Sequence, residues 1–448
     1  MNHGFLGDFL PFFRRGIRPL PQTQSDGPRP AGLYTLAEAL LSSRGEASGV
    51  ALASDILGVY GRFSAENRFA FLKLLAERFT ADDKRVKRAI ANYQSNPGAE
   101  AARTLHNAAE PRRQEFLRRL NLAPGGTAKL VRMREDVLQC LHDHSGLQLV
   151  DADFVHLFSS WFNRGFLVLK HIDWSTPAAI LEKIIRYEAV HEIHGWADLQ
   201  RRLDPADRWC FAFFHPALQD EPLIFVEVAL TRGIPQAISS LLAEDRTPID
   251  PHQATTAVFY SISNCQIGLK GISFGNFLIK QVVEELRRDL PHLRSFVTLS
   301  PVPGFAQWLK AERDAKTSSS ITSKDRTALK LLDEVDWQRN SDTQKQLKPV
   351  LLNAIANYFL VAKTDSGKPI DPVARFHLGN GARLEKINWL GDVSPKGLRE
   401  AVGFMVNYLY ALNDIENNHE AFSNHGEVVT SRYVRSLLRE KRRSTNQA

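Results

Sequence analysis

The sequence predicts an α+β protein with an N-terminal all-α helical domain over residues 1–162 and a mixed-sheet domain over residues 163–448. Three observations lead to this division. Apolar residues recur with a period near 3.6 through most of residues 33–162, which is typical of amphipathic helices. From Gly165 onward, short apolar runs bounded by Gly and Pro alternate with helical segments, as expected for strands of a sheet. Residues 255–305 read as a strand, a Gly-bearing loop, a helix and a second strand.

The N-terminal domain is predicted to be a helical bundle that packs or oligomerises. Its clearest helical stretches begin near Thr35 and continue over Glu66–Phe79, Ala81–Tyr93, Pro111–Leu120 and Ala128–His142. Because these stretches contain neither a Gly-rich phosphate loop nor a pair of acids, we expect catalysis elsewhere. We predict a homo-oligomer, a dimer or a tetramer, assembled through this domain.

The mixed-sheet domain is predicted from apolar runs of strand length. Strands are expected at Gly165–Lys170, Arg208–His215, Leu223–Thr231, Thr256–Ser263 and Ser295–Ser300. Further along, Val373–Leu378 and Ala382–Trp389 are predicted to form a strand pair. A final helix is predicted over Ser394–Leu412, and it would carry Asn407-Tyr-Leu-Tyr410.

Composition and charge restrict the kind of partner. Hydrophobic residues make up 43% and charged residues 24% of the 448-residue chain, and the formal net charge is +7. A positive balance suits an anionic partner. The chain has no nucleic-acid motif and no apolar run long enough to span a bilayer. We therefore expect a small polyanion, with no nucleic acid and no membrane as partners.

The loop within residues 255–305 is a candidate anion site. A strand that leads through a glycine-bearing turn into a helix directs free backbone N–H groups and the positive helix end toward one point, where phosphates bind. A structural turn that binds nothing is the alternative. The candidate binding residues are Gly268, Lys270, Gly271, Ile272, Ser273, Phe274, Gly275 and Asn276.

Two families share motifs with this region. Lys270-Gly-Ile-Ser-Phe-Gly275 resembles the loop Gln/Arg-x-x-Gly-x-Gly/Ala of GNAT acetyltransferases, which wraps the pyrophosphate of coenzyme A, although Lys270 and Ser273 depart from that pattern. A wider set of runs strongly resembles the malonyl-CoA decarboxylase family. These runs are Phe259-Tyr-Ser-Ile-Ser263, Gly268-Leu-Lys-Gly271, Gly275-Asn-Phe-Leu-Ile-Lys280, Leu299-Ser-Pro-Val-Pro-Gly-Phe305, Arg375-Phe-His-Leu-Gly-Asn-Gly-Ala382 and Ile387-Asn-Trp389.

The resemblance implies a GNAT-like catalytic domain and a reaction. Malonyl-CoA would lose CO₂ to give acetyl-CoA through a thioester enolate, with no cofactor because CoA is part of the substrate. In this family the serine and histidine that match Ser300 and His377 are assigned as proton acceptor and proton donor. Without the family, the alternative for Ser300 is a turn serine that bonds its own backbone, and His377 fits a buried core histidine better than a catalyst. Tyr410 is our third candidate catalytic residue, with Tyr408 as its alternative.

Other interpretations remain open at this stage. Glu188, His191 and His194 recur every third residue on a predicted helix, but their spacing does not match a zinc-protease motif, so no metal site is predicted. The rival functions are a GNAT-type acyltransferase and a non-catalytic acyl-CoA-binding regulator. Three cysteines and the lack of a clear targeting signal favour a cytoplasmic, bacterial enzyme.

Overall fold

The computed structural model describes residues 30–42, 45–272 and 278–438. The described residues form two compact units. The first unit contains the described residues through Leu167 together with two later segments, His215–Gln219 and 266–272. The second unit contains the other described residues. The segment 266–272 therefore packs with the helical unit although its neighbours along the chain belong to the sheet unit.

The first unit is helical, as the periodicity predicts. Its helices are α1 Pro30–Leu41, α2 Glu46–Gly61, α3 Ala65–Arg78, α4 Asp83–Ser95, α5 Ala99–Ala109, α6 Arg112–Asn121, α7 Gly126–Cys140 and α8 Leu147–Trp161. The core of this unit is rich in phenylalanine, because the apolar faces of α3, α6 and α8 converge on one another. Fully buried rings are those of Phe71, Phe79, Phe116, Phe154, Phe158 and Phe162.

Helices α4 and α5 pack against each other as a hairpin. The buried residues in this hairpin are all alanines: Ala89, Ala101 and Ala108. Ile90 and Tyr93 are each 40% exposed. The hairpin thus presents larger apolar side chains to solvent than the small residues it buries.

The second unit is built on one mixed eight-stranded sheet. Its strands are β1 Val168–Ile172, β2 Arg208–Phe214, β3 Pro222–Thr231, β4 Thr256–Asn264, β5 Ser295–Thr298, β6 Ser300–Pro301, β7 Arg383–Asn388 and β8 Met405–Leu409. The strand order is β1-β2-β3-β4-β5-β8-β6, and β7 also pairs with β8. Among the described strands, β4 and β5 pair in parallel, since a helix connects them, and the other strand pairs are antiparallel.

Strands β4 and β5 separate toward their C-terminal ends. They pair over Thr256–Phe259 and Ser295–Thr298, whereas β4 continues to Asn264. After Leu299, whose N–H donates to the Phe259 carbonyl at 3.0 Å, the chain turns to β8, where Ser300 is opposite Val406. A bulge in β4 near Tyr260 shifts its register with β3 between Glu227 and Val228. Ser300 therefore lies at the point where the central strands diverge.

The other described α-helices belong to the second unit. Their bounds are α9 Ala178–Tyr187, α10 Trp196–Leu203, α11 Ser239–Leu242, α12 Leu278–Asp289, α13 Phe305–Asp314, α14 Ser323–Leu329, α15 Ser341–Leu360, α16 Pro372–Gly379, α17 Pro395–Ala401, α18 Ile415–His425 and α19 Arg432–Ser436. Among the described helices, none is both long enough and apolar enough to cross a membrane.

The predicted fold class, a helical region followed by a mixed-sheet domain, is confirmed, but two elements differ from the prediction. Val373–Leu378 lies in helix α16, where we expected a strand. A short apolar run fits either structure, and here Asp371 caps the helix by accepting from the Ala374 N–H at 2.7 Å. The predicted helix Ser394–Leu412 ends at Ala401, because Val402 and Gly403 take left-handed backbone conformations with φ +53° and +80°, and β8 follows.

Candidate active site

Ser300 is positioned by the sheet. It forms the first residue of β6 and is 6% exposed. Thr298, two residues earlier in the chain, accepts a hydrogen bond at its Oγ1 from the Ser300 hydroxyl at 2.9 Å. The same Oγ1 accepts from the Tyr408 N–H of β8 at 3.1 Å. These bonds fix the orientation of the Ser300 hydroxyl.

His377 approaches Ser300 from helix α16. Its Nε2 lies 3.2 Å from Ser300 Oγ, and its ring is stacked on Tyr408 with the centroids 4.6 Å apart. His377 lies in the last turn of the helix, not in a strand as the sequence predicted. Asp371 anchors the other end of the helix, where it also accepts from the Tyr358 hydroxyl at 3.2 Å.

Tyr410 completes the cluster. It directly follows β8, where its N–H donates to the Phe296 carbonyl at 2.9 Å. Its hydroxyl lies 2.8 Å from His377 Nδ1. Tyr408 contacts the same imidazole by stacking, and its buried hydroxyl has no hydrogen-bond partner among the described residues. The structure thus brings Ser300, His377 and Tyr410 together and distinguishes the two tyrosines by their contacts.

The hydrogen-bond pattern defines one arrangement of protons. A neutral imidazole has one donor nitrogen and one acceptor nitrogen. Because the Ser300 proton goes to Thr298, the contact at 3.2 Å requires His377 Nε2 to carry the ring proton. Nδ1 then accepts from the Tyr410 hydroxyl. Tyr410 therefore donates to His377, His377 donates to Ser300, and Ser300 donates to Thr298.

Burial keeps this cluster neutral. His377 is 3% and Tyr410 is 2% exposed. Burial lowers the pKa of His377 to about 3, because the imidazolium cation loses its hydration. Burial raises the pKa of Tyr410 by the same effect on its phenolate. Near neutral pH the cluster holds an uncharged imidazole with a proton on the nitrogen that faces Ser300.

The candidate phosphate loop lies in the first unit, against helix α7. Gly268 is buried, and a Cβ there would lie 2.0 Å from the Val131 carbonyl oxygen, so this glycine is needed for close packing. Gly271 and Lys270 are exposed, and Gly271 has φ +79°. Ile272 is buried. Ser273, Phe274, Gly275 and Asn276 lie outside the described residues.

The predicted helix bearing Glu188, His191 and His194 ends at Tyr187 instead, so these residues do not share a helical face. Glu188 is buried and accepts from the Ser261 hydroxyl at 2.7 and 2.8 Å and from the Ser263 hydroxyl at 3.0 Å. It also accepts from the Val190 and His191 N–H groups. Glu188 therefore fixes a loop to strand β4.

Sequence reasoning missed Thr298 as a member of the cluster. The available signal was its position two residues before Ser300, because alternate residues of an extended chain point to one face. It also missed Asp371, although Asp371-Pro372 is a typical helix start, with a capping side chain followed by proline.

Comparisons with known proteins match both units. A model of the malonyl-CoA decarboxylase C-terminal domain matches residues 165–448, and one of the malonyl-CoA decarboxylase N-terminal domain matches residues 79–162. Mitochondrial malonyl-CoA decarboxylase of Anser anser anser is 35% identical over 410 residues, covering 84% of this chain and 81% of the relative. The Rattus norvegicus protein of the same name is 33% identical over 422 residues, covering 86% and 85%.

Solved structures of proteins with the same name are similar to this chain. Malonyl-CoA decarboxylase from Rhodopseudomonas palustris is 59% identical, with a TM-score of 0.89 over 91% of this chain and 100% of that chain. The enzyme from Cupriavidus metallidurans is 35% identical, with a TM-score of 0.72 over 91% of this chain and 99% of that chain. Sequence and fold match over both units, and the chain belongs to the malonyl-CoA decarboxylase family.

Proposed function

We propose that this protein is a carboxy-lyase that converts malonyl-CoA to acetyl-CoA and CO₂. The observation that carries the proposal is the neutral His377, hydrogen-bonded between Ser300 at 3.2 Å and Tyr410 at 2.8 Å. Decarboxylation of a malonyl thioester requires a proton donor at the carbon that loses CO₂, and a buried neutral imidazole with its proton on Nε2 is such a donor. Because the chain belongs to the malonyl-CoA decarboxylase family, we take malonyl-CoA as the substrate.

The reaction can be written with these three side chains. Ser300 hydrogen-bonds the malonyl group and helps to turn its carboxylate out of the thioester plane. The bond between the α carbon and the carboxylate breaks, CO₂ leaves, and the electron pair moves onto the thioester oxygen. His377 Nε2–H stabilises that charge and delivers its proton to the α carbon. As Nε2 loses its proton, Nδ1 takes the Tyr410 proton. A proton from solvent then returns to Nε2 and the Nδ1 proton goes back to Tyr410, which restores the starting state.

This chemistry uses no cofactor apart from the CoA that belongs to the substrate. The thioester carbonyl itself accepts the electrons released with CO₂. The role of the protein is to orient the carboxylate, hold hydrogen bonds to the developing oxyanion and deliver one proton. Its low-dielectric surroundings strengthen these hydrogen bonds relative to those in water.

We assign the phosphates of the substrate to the loop that includes Lys270 and Gly271. Both residues are exposed, and no ion pair of the Lys270 side chain is found among the described residues. The Gly271 N–H donates to no group in the described part of the chain. A free cation beside a free backbone N–H is a suitable site for a pyrophosphate.

One assay separates the candidate functions. Purified protein is incubated with malonyl-CoA and no acyl acceptor, and CO₂ and acetyl-CoA are measured. A decarboxylase releases both in equal amounts. A GNAT-type acyltransferase releases neither product. When an amine acceptor is added, it transfers the malonyl group to the amine and releases free CoA. A non-catalytic acyl-CoA-binding regulator binds malonyl-CoA, as measured by calorimetry, without any turnover.

We further propose that the helical unit assembles the protein into a homo-oligomer, a dimer or a tetramer. The hairpin of α4 and α5 supports this, because Ile90 and Tyr93 are exposed on it. Replacing both with aspartate should lower the mass measured by light scattering while leaving the circular dichroism spectrum unchanged. An unchanged mass would exclude the hairpin as the interface.

We also propose a reducing compartment, the cytoplasm of a bacterium. Cys140, Cys210 and Cys265 are all free thiols, which is usual where glutathione or thioredoxin keeps cysteines reduced. Solved relatives come from bacteria, while the animal relatives are named as mitochondrial. Localisation of a tagged full-length protein in its source cell tests this.

A further inference from the structure

The loop that we assign to the phosphates is held by one buried arginine of the helical unit. Arg134, on α7, is 2% exposed. Its Nη1 donates to the Gly268 carbonyl oxygen at 2.8 Å and to the Lys270 carbonyl oxygen at 2.9 Å. Its Nε donates to Asp151 of α8 at 2.8 Å. Arg134 thus links helices α7 and α8 to two backbone carbonyls of the loop.

The same stretch of α7 shapes the loop in two further ways. The Val131 carbonyl lies so close to Gly268 that no larger residue would fit without movement. The Gly268 N–H donates to Glu135 Oε1 at 3.4 Å. Both polar backbone groups of Gly268 are therefore used by the helix, and this residue has none left for a ligand.

The peptide between Lys270 and Gly271 is different. In a trans peptide the C=O and the N–H point in opposite directions. Arg134 holds the Lys270 carbonyl, so the Gly271 N–H faces away from the helix. Apart from its chain neighbours, no described residue has an atom within 4 Å of the position that a Gly271 Cβ would occupy, and this N–H donates to no described residue. The arginine therefore turns a backbone donor toward open space.

We propose that Arg134 is a positioning residue for the phosphates of the substrate. By fixing the Lys270–Gly271 peptide from behind, it presents the Gly271 N–H to a phosphate oxygen and keeps Lys270 beside it. The inference rests on the proposed function, because it requires that this loop binds the phosphate end of an acyl-CoA. Arg134 itself is buried and contacts the loop, not the ligand.

The test compares two substrates that share the malonyl thioester. Malonyl-CoA carries the phosphates, whereas malonyl-pantetheine lacks them. In Arg134→Gln, the Gly268 and Lys270 carbonyls lose a charged donor and the peptide is free to rotate. We expect the KM for malonyl-CoA to rise about tenfold, which corresponds to ~1.4 kcal/mol, with kcat changed by less than about twofold. The kcat/KM for malonyl-pantetheine should stay the same.

A matched control comes from the same bundle. Arg113 on α6 is also buried and pairs with an aspartate of α8, Asp153, but it does not contact the loop. Arg113→Gln should lower the melting temperature without changing the ratio of kcat/KM between the two substrates.

Asp151→Asn is a milder variant, because it loosens Arg134 and leaves both carbonyl bonds possible. It should raise the KM for malonyl-CoA alone, by a smaller factor, and it serves if Arg134→Gln fails to fold.

The outcomes are distinct. Equal losses on both substrates in Arg134→Gln and Asp151→Asn would overturn the positioning role and leave a structural one. An unchanged KM for malonyl-CoA would overturn it as well. If the wild-type protein itself uses malonyl-pantetheine as efficiently as malonyl-CoA, the assignment of the loop to the phosphates fails, whatever the variants do. Absence of any decarboxylation by wild type would instead refute the proposed function.

Discussion

The cluster proposed to react and the loop proposed to bind phosphates use their hydrogen-bonding groups in opposite ways. Around His377, every nitrogen of the ring is used by a neighbour, at 3.2 Å by Ser300 and at 2.8 Å by Tyr410, and the group is buried. In the loop, Arg134 uses the carbonyls and Gly271 is exposed with its N–H free of described partners. A proton donor must be kept neutral and aimed, whereas a site for phosphates must keep donors open. Substitutions in the cluster should therefore lower kcat, whereas substitutions in the loop should raise the KM or the dissociation constant for CoA substrates.

The strongest test of this difference is removal of the proton donor. In His377→Asn the side chain keeps hydrogen-bonding capacity but no longer carries the proton that the carbon needs. We expect kcat to fall by at least about 100-fold, since a positioned acid contributes about 10²–10⁴ in rate. The dissociation constant for CoA, measured by calorimetry, should change little. More than about a tenth of wild-type turnover would exclude His377 as the donor.

Ser300→Ala should give a loss of at least about 100-fold in kcat for a related reason, because the malonyl group loses its hydrogen bond. In the double variant with His377→Asn, the losses should be less than multiplicative, because both residues serve one transition state. Independent, fully multiplicative losses would show that the serine acts in another step.

Substitution of the two tyrosines should give the next largest change in kcat. Tyr410 bonds Nδ1 at 2.8 Å, whereas Tyr408 only stacks on the ring. Tyr410→Phe should lower kcat about tenfold through loss of the hydrogen bond that fixes the tautomer. Tyr408→Phe is the control and should leave kcat close to wild type. The reverse order of losses would assign the proton supply to Tyr408.

The loop should respond in binding and not in turnover. Gly271→Ala places a side chain at φ +79°, at a cost of roughly 1–2 kcal/mol for a left-handed residue. The peptide should shift, and the dissociation constant for CoA should rise about threefold to tenfold with kcat unchanged. Gly367→Ala is a matched control, since Gly367 has φ +76° and equally open surroundings. Equal losses of CoA affinity in both variants would contradict the assignment.

The sequence predicted some parts of these two regions and missed others, and the physical reasons differ. The strands β2 to β5 followed from uninterrupted apolar runs, because each is buried on both faces or nearly so. Most of helix α16 was predicted as a strand, since a run of six residues, four of them apolar, fits either structure when the cap is not considered. Ser300 and His377 were identified through family resemblance. Thr298 was missed, because a threonine inside an apolar run looks like an ordinary strand residue.

The role of Arg134 could not have been predicted. It is 134 positions from Gly268 along the chain, and a lone arginine on an amphipathic helix is usually solvent-exposed. Only the folded chain shows that the loop packs with the helical unit. Likewise, Gly268 was expected to approach a ligand, but in the structure it approaches the Val131 carbonyl. Sequence reveals which residues need special backbone freedom, but not which neighbour requires it.

The smallest effect concerns pH and applies to the cluster alone. Burial lowers the pKa of His377 to about 3, whereas an unfolded histidine has a pKa of about 6.5. Between these values the unfolded chain binds a proton that the folded protein does not, so stability falls as pH falls below about 6.5. The slope from one such group is at most about 1.4 kcal/mol per pH unit. His377→Asn removes this contribution while leaving other groups, including His191, in place. Urea unfolding of both proteins at about pH 7 and about pH 5 should show their stability difference shift by up to about 2 kcal/mol, with wild type losing more on acidification. A difference that is the same at both pH values would mean that folded His377 titrates normally and is not the buried neutral donor that the mechanism needs.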